Sequence, residues 1–145
     1  MNEVIFSHRP LSGVSVAATS DGNRLFFAAA LANDGVSRNS VFHPERRDAF
    51  SRSKARNILR GRLAATIAGR TNNMSVVFET PMPAREFIAR FRETFKPDVE
   101  ENDSFLLQVD KIGDHTIEFR ANASDIINRI MNLANEVVCN SQVKA

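Results

Sequence analysis

Tryptophan and tyrosine are both missing from this 145-residue chain, although it carries eleven phenylalanines. Its benzene rings therefore have no polar handle and belong mostly to the core. The only cysteine is Cys139, which excludes an intramolecular disulfide and a cysteine-based zinc site. Its place near the end of an apolar helix predicts a buried or idle thiol in a reducing compartment. No stretch approaches the roughly 20 apolar residues of a membrane span. The start, MNEVIFSHRP, lacks the basic region and apolar run of a signal peptide. The expectation is a soluble, cytoplasmic protein with no membrane partner.

Catalytic groupings are equally scarce. His8, His43 and His115 are scattered, with no metal-ligand spacing such as HExxH. Ser51 and Ser53 have no local histidine and no nucleophile-elbow glycines, and no glycine-rich phosphate loop is present. Glu79, Asp110 and Glu118 are single carboxylates on predicted strands. These absences disfavour an enzyme, and neither a metal nor a cofactor is expected.

What the chain does have is arginine in one place. Of its 19 basic residues, most are arginine, whose planar fork suits phosphate better than lysine does. The segment from Ser37 to Arg70 holds Arg38, Arg46, Arg47, Arg52, Lys54, Arg56, Arg60, Arg62 and Arg70 against Glu45 and Asp48 alone. The whole chain carries only +2, so the remainder is acidic. Such asymmetry points to one basic surface on an otherwise ordinary domain.

Hydrophobic periodicity organises the rest. Val4, Phe6 and His8 alternate, as do Val14, Val16 and Ala18, which predicts strands. Ser20 to Asn23 is a hairpin turn, and Arg24 to Ala32 an apolar run expected as a central strand buried on both faces. Asn33-Asp34-Gly35 predicts a second turn, with a further strand from Ser37 to His43. A helix follows from about Phe50 to Gly69, capped by Asp48 or Ser51, with Ala55, Ile58, Leu59, Leu63 and Ile67 inward. Met74 to Glu79 reads as a strand. Thr80-Pro81 opens a second helix carrying Ala84, Phe87, Ile88, Phe91 and Phe95, which Pro97 should end before an acidic loop from Asp98 to Asp103. A hairpin about Gly113-Asp114 and a final helix capped by Ser124 complete the order ββββ-α-β-α-ββ-α. This predicts a single α+β domain over residues 1–145, an antiparallel sheet flanked by helices.

On a helix, Arg52, Arg56 and Arg60 fall at i, i+4 and i+8 and form one row, roughly 12 Å long. Three like charges in a row repel, and no Glu or Asp occurs between Ala49 and Thr71 to offset them. An anion is the expected counter-charge. A duplex binder makes about 6 to 10 phosphate contacts, which one short row does not supply. A compact phosphate-bearing ligand suits it better, with a nucleic-acid backbone as the alternative. Gly61 costs about 1 kcal/mol relative to alanine inside a helix, so either another backbone or a ligand approaches closely there. Arg62 points away from the row, toward a second subunit or a second phosphate.

The segment Val41-Phe42-His43-Pro44, Asp48, Phe50-Ser51-Arg52, Arg56 and Gly61-Arg62-Leu63 resembles small phage proteins of the first Thoeris anti-defence family. The resemblance covers Val41 to Leu63 only, and Ala55 stands where a glycine would be comfortable before Arg56. It implies a non-enzymatic homo-oligomer built from a sheet flanked by helices and acting in an infected bacterial cell. Such a protein sequesters cyclic signalling nucleotides, notably cyclic ADP-ribose isomers and in some members cyclic di- or trinucleotides. It carries over ligand contact to Arg52, Arg56, Gly61 and Arg62, with Phe50 as a ring partner. Phe78 and Arg120, each near the end of a predicted strand where a pocket lip could form, complete the candidate set.

Overall fold

The structure, a computed structural model, describes residues 3–9, 13–32, 39, 41, 43–46, 49–102, 107–112, 115–120 and 123–143. The side chains of residues 44, 96–102, 107–112, 115–120 and 141–143 lie outside that description. The elements are β1 (Ile5–Arg9), β2 (Val14–Asp21), β3 (Arg24–Leu31), α1 (Arg52–Ile67), β4 (Ser75–Glu79), α2 (Ala84–Asn102), β5 (Leu107–Ile112), β6 (His115–Arg120) and α3 (Ala123–Val143). A 3-10 turn at Pro44–Arg46 precedes α1. The fold is α+β, in close to the order expected.

β1 to β4 form one antiparallel sheet in chain order. Two-residue connection at Gly22-Asn23 sets Asp21 opposite Arg24, and Gly22 takes the positive φ (63°) that this tight turn requires. β3 lies between β2 and β4 and is buried from Leu25 to Ala30, as its unbroken apolar run requires. The expected strand from Ser37 to His43 falls largely on undescribed residues, with Val41 a single bridge residue. The turn at residues 33–35 lies wholly outside the description. β5 and β6 pair as a separate two-stranded hairpin.

Helices cover both faces of the larger sheet. On one face Val14, Val16, Ala18, Leu25, Phe27 and Ala29 meet α2 and α3. On the other, Ala17, Phe26, Ala28 and Ala30 meet Leu59 and Leu63 of α1. Strand alternation produces this division directly, because successive side chains of β2 and β3 point to opposite faces. The alanines matter on both sides, since small strand residues let a helix sit low.

The α2 stripe is as the periodicity predicted. Phe27 packs edge-on against Phe87 at 5.3 Å, and the line continues through Phe91 to Phe95, whose rings stack at 5.4 Å. Several features of the helices differ from expectation. α2 begins at Ala84, with the Pro83 carbonyl accepting the Phe87 N–H, and it runs through Pro97 to Asn102. Proline withholds an N–H and crowds the turn before it, yet its φ is helical. The helix therefore continues, and residues 98–102 are helical rather than an acidic loop. Ser124 lies within the first turn of α3 rather than capping it.

α1 stops where expected. Gly69 adopts φ 90°, its N–H bonds to the Thr66 carbonyl, and the Arg70 N–H reaches back to Ala65 at 2.8 Å. Its apolar face is narrower than the sequence implied. Leu59 and Leu63 are fully buried, whereas Ile58 and Ile67 are 38% and 40% exposed. One sheet face can cover only the residues near the line of contact, and these two lie on the flanks. Cys139 is exposed on α3 rather than buried. Among the described residues no helix is long and apolar enough to cross a membrane.

Because Leu63 is wholly enclosed between α1 and the alanine face, Leu63→Ala should lower the unfolding free energy by about 2–5 kcal/mol. Urea denaturation checks this, and the same truncation at exposed Ile67 should cost only a fraction of it.

Candidate anion-binding site on helix α1

Ser51 builds the start of α1. Its backbone is extended, and its side chain accepts the Lys54 N–H at 3.2 Å, while its carbonyl takes the Ala55 N–H. The N–H groups of Arg52 and Ser53 are left over, as the first turn of any helix dictates. No acidic side chain occupies that turn, so the positive end of the helix dipole is not neutralised by its own helix. Asp48, the other candidate cap, lies outside the described residues.

Setting Leu59 and Leu63 on the sheet rotates Arg56 and Arg60 over β1. The Arg56 guanidinium carbon lies 5.1 Å from the centroid of the Phe6 ring, and that of Arg60 lies 5.2 Å from the same centroid. Each such contact contributes about 0.5–1 kcal/mol at an exposed site. Stacking occupies the flat face of a guanidinium and leaves its in-plane N–H fork free. The ring contacts thus hold both arginines in place without consuming an N–H.

His8 ties this row to the sheet. The Arg56 Nε–H donates to His8 Nε2 at 3.3 Å, and His8 Nδ1 lies 2.8 Å from Ser15 Oγ. A guanidinium has no acceptor, so His8 Nε2 must present its lone pair. The ring proton then sits on Nδ1 and is donated to the Ser15 hydroxyl. Burial, with the charges of Arg56 and Arg52 added, holds the His8 pKa below its ordinary value. The ring planes of Phe6 and His8 are nearly parallel, 5° apart, and Phe50 meets His8 edge-on at 5.8 Å. Arginine and aromatic side chains therefore alternate along one strip.

No described side chain neutralises the positive charge of the strip. Among the described residues, no ion pair within 4.0 Å involves Arg52, Arg56 or Arg60. Carboxylates pair elsewhere, among them Asp21 with Arg24, Glu45 with His43, Glu3 with Arg85 and Glu86 with Arg90.

A cavity of about 290 Å³ lies beside the strip, between the first turns of α1 and the adjoining ends of β2 and β3. Ala30, Leu31, Ile58 and Phe50 supply apolar walls, and Ser15, Ser51 and Lys54 the polar ones. Phe50 and Ser15 also contact His8, so they join cavity and strip.

The structure thus brings together four of the candidate residues: Phe50, Arg52, Arg56 and Arg60. It separates the others. Arg62 turns to the opposite flank of α1, is half-buried, and donates to the Ala29 carbonyl of β3. β4 pairing ends at Ala28 opposite Ser75, so this arginine satisfies a strand carbonyl beyond the last paired residue. Burial lowers its pKa. Phe78 packs on the other sheet face, 6.1 Å from Phe87, among the core of α2 and α3. Arg120 ends β6 opposite Leu107, in the separate hairpin, and its side chain lies outside the described residues. Gly61 is exposed on α1, and a Cβ built there meets nothing within 4 Å, so no described packing within the chain requires a glycine.

Sequence reading missed Phe6, His8, Ser15 and Lys54 as parts of this site. For Phe6 and His8 the signal was alternation, which puts Val4, Phe6 and His8 on one face; Ser15 is the β2 residue opposite His8. What covers that face is a tertiary matter. Among the described residues, no group of three or more His, Cys, Asp or Glu is arranged to hold a metal ion.

Two measurements check this geometry. Because the folded protein binds the His8 proton less readily than the unfolded chain, His8 contributes stability above the ordinary imidazole pKa of about 6.5. That contribution is lost as pH falls through the lower, folded value. An NMR titration of His8 should give a midpoint below 6.5, and Arg56→Gln should raise it. Gly61→Ala, which meets open space, should stabilise the protein toward urea by up to about 1 kcal/mol. Comparison with protein-family models, curated proteins and solved structures returned no match to this chain.

Proposed function

We propose that this protein binds a cyclic signalling nucleotide on α1 and sequesters it without cleaving it. The ligand class is cyclic ADP-ribose isomers, extending to cyclic di- or trinucleotides, and the setting is the cytoplasm of an infected bacterial cell. One observation carries the reading. Arg56 and Arg60 are held against a single ring, Phe6, with no described carboxylate paired to either and only the Arg56 Nε–H given to a described partner, His8. Pre-positioned donors reduce the side-chain entropy lost on binding, and a phosphate is the group that such forks fit. Phe6, His8 and Phe50 add ring surface to the same strip.

Self-association belongs to the same proposal. Gly61 has open space above it, and Ile58 and Ile67 are exposed on the flanks of the same helix. A second copy could approach α1 closely there.

The test is to incubate the purified protein with a cyclic ADP-ribose isomer, remove free nucleotide, denature the protein by heat and identify what is released. Unaltered nucleotide is expected, in a fixed ratio to protein; a cleaved product would sink sequestration. Each charge-assisted hydrogen bond contributes about 1.5–3 kcal/mol. Arg56→Ala or Arg60→Ala should therefore weaken binding by about tenfold or more in calorimetry. A steep salt dependence with indifference to nucleotide chemistry would instead favour a nucleic-acid backbone as the partner.

A further inference from the structure

The cavity at the start of α1 has a chemistry distinct from the arginine row. Its walls are mainly apolar, yet Ser15, a wall residue, is 1% exposed and holds a hydroxyl. The Ser15 oxygen accepts the His8 Nδ1–H, as the Arg56 bond to Nε2 obliges it to do. Ser15 Oγ is thus satisfied by His8, and its rotatable O–H remains a donor that an occupant offering a lone pair can take. At the rim stand Lys54 and Ser51, the cap of a helix with no acidic residue in its first turn. A negative charge is favoured at that end.

Size narrows the class further. A dry cavity of about 150 Å³ holds one benzene ring, so about 290 Å³ suits a fused pair of rings or a ring with its sugar. Phe50 offers an aromatic wall, while its other contact is His8.

We infer that this cavity seats the planar heterocycle of a nucleotide, purine in size. The Ser15 hydroxyl donates to a ring acceptor, and the adjoining phosphate lies at Lys54 and the α1 N-terminus. The inference rests on the nucleotide-binding reading above and adds a base-recognising pocket to it. It also links the two parts of the site. A base that takes the Ser15 proton strengthens the acceptor side of the same hydroxyl, and so steadies His8 and the Arg56 that His8 holds.

Calorimetry on the full chain with three probes tests it: adenosine monophosphate, ribose 5-phosphate and inorganic pyrophosphate. Base–aromatic stacking contributes about 1–3 kcal/mol, so the monophosphate should bind about tenfold more tightly than ribose 5-phosphate. Ile58→Trp, placed at an exposed position of the cavity wall, should abolish that difference by filling the cavity mouth, with the solution mass of the variant measured alongside because Ile58 also lies on the proposed self-association face. Ser15→Ala should reduce the monophosphate affinity by about tenfold, with thermal unfolding measured alongside to confirm a folded protein. Equal affinity for the monophosphate and ribose 5-phosphate overturns the inference. So does tight binding of a cyclic ADP-ribose isomer that Ile58→Trp does not disturb, a result that leaves the arginine row intact as the ligand site. Failure of all three probes and of the cyclic nucleotide overturns both readings.

Discussion

Leu59 and Leu63 rest on a floor of Ala17, Ala28 and Ala30, and the site's placement follows from that seat. Because a helix advances about 100° per residue, placing two leucines on the sheet leaves no freedom in where the other side chains go. Arg56 and Arg60 are carried to the β1 side, where Phe6 and His8 meet them. Arg62 is carried to the other side, where it reaches β3. Ile58 is left at the rim of a cavity. Bulkier strand residues at the alanine positions would lift the helix from the sheet and loosen these contacts together.

The seat also explains how a crowded positive strip is tolerated. Arg56 and Arg60 repel one another, and no described carboxylate relieves them. Against that stand two contacts with one ring, a hydrogen bond to a neutral histidine, and the core beneath. The side chains are restrained by packing while their charge is left for an outside partner. Neutral His8 is part of this arrangement, since a protonated imidazole could neither accept from Arg56 nor lie comfortably beside Arg52. Structure and electrostatics therefore share one small group of residues.

Much of the fold was legible from pattern alone. Alternation located β1 and β2, and the unbroken apolar run located β3 and marked its central place. The stripes of α2 and α3 were readable because they bury a wide, regular face. The misreadings have specific causes. Pro97 reads as a stop, yet the helix passes it at the loss of one donor. Ile58 and Ile67 keep helical spacing, but a flat sheet covers less of α1 than the period allows. Phe78 and Arg120 were placed by nearness to strand ends, a criterion blind to which sheet, and which face, a strand presents.

The arginine row itself is a property of the sequence: helical spacing and the lack of acidic neighbours determine a local, uncompensated positive ridge. Tertiary structure alone decided which arginines serve it. Arg62 has the same chemistry as its neighbours, and its neighbour in sequence, Gly61, faces open space. Yet rotation about the Leu59–Leu63 seat turns Arg62 inward to a strand carbonyl. The rings that steady Arg56 and Arg60 come from β1, far earlier in the chain. No local pattern records such a pairing, because it depends on which sheet face a helix covers and at what angle. Periodicity determines what a segment can bury; only packing decides what lies opposite.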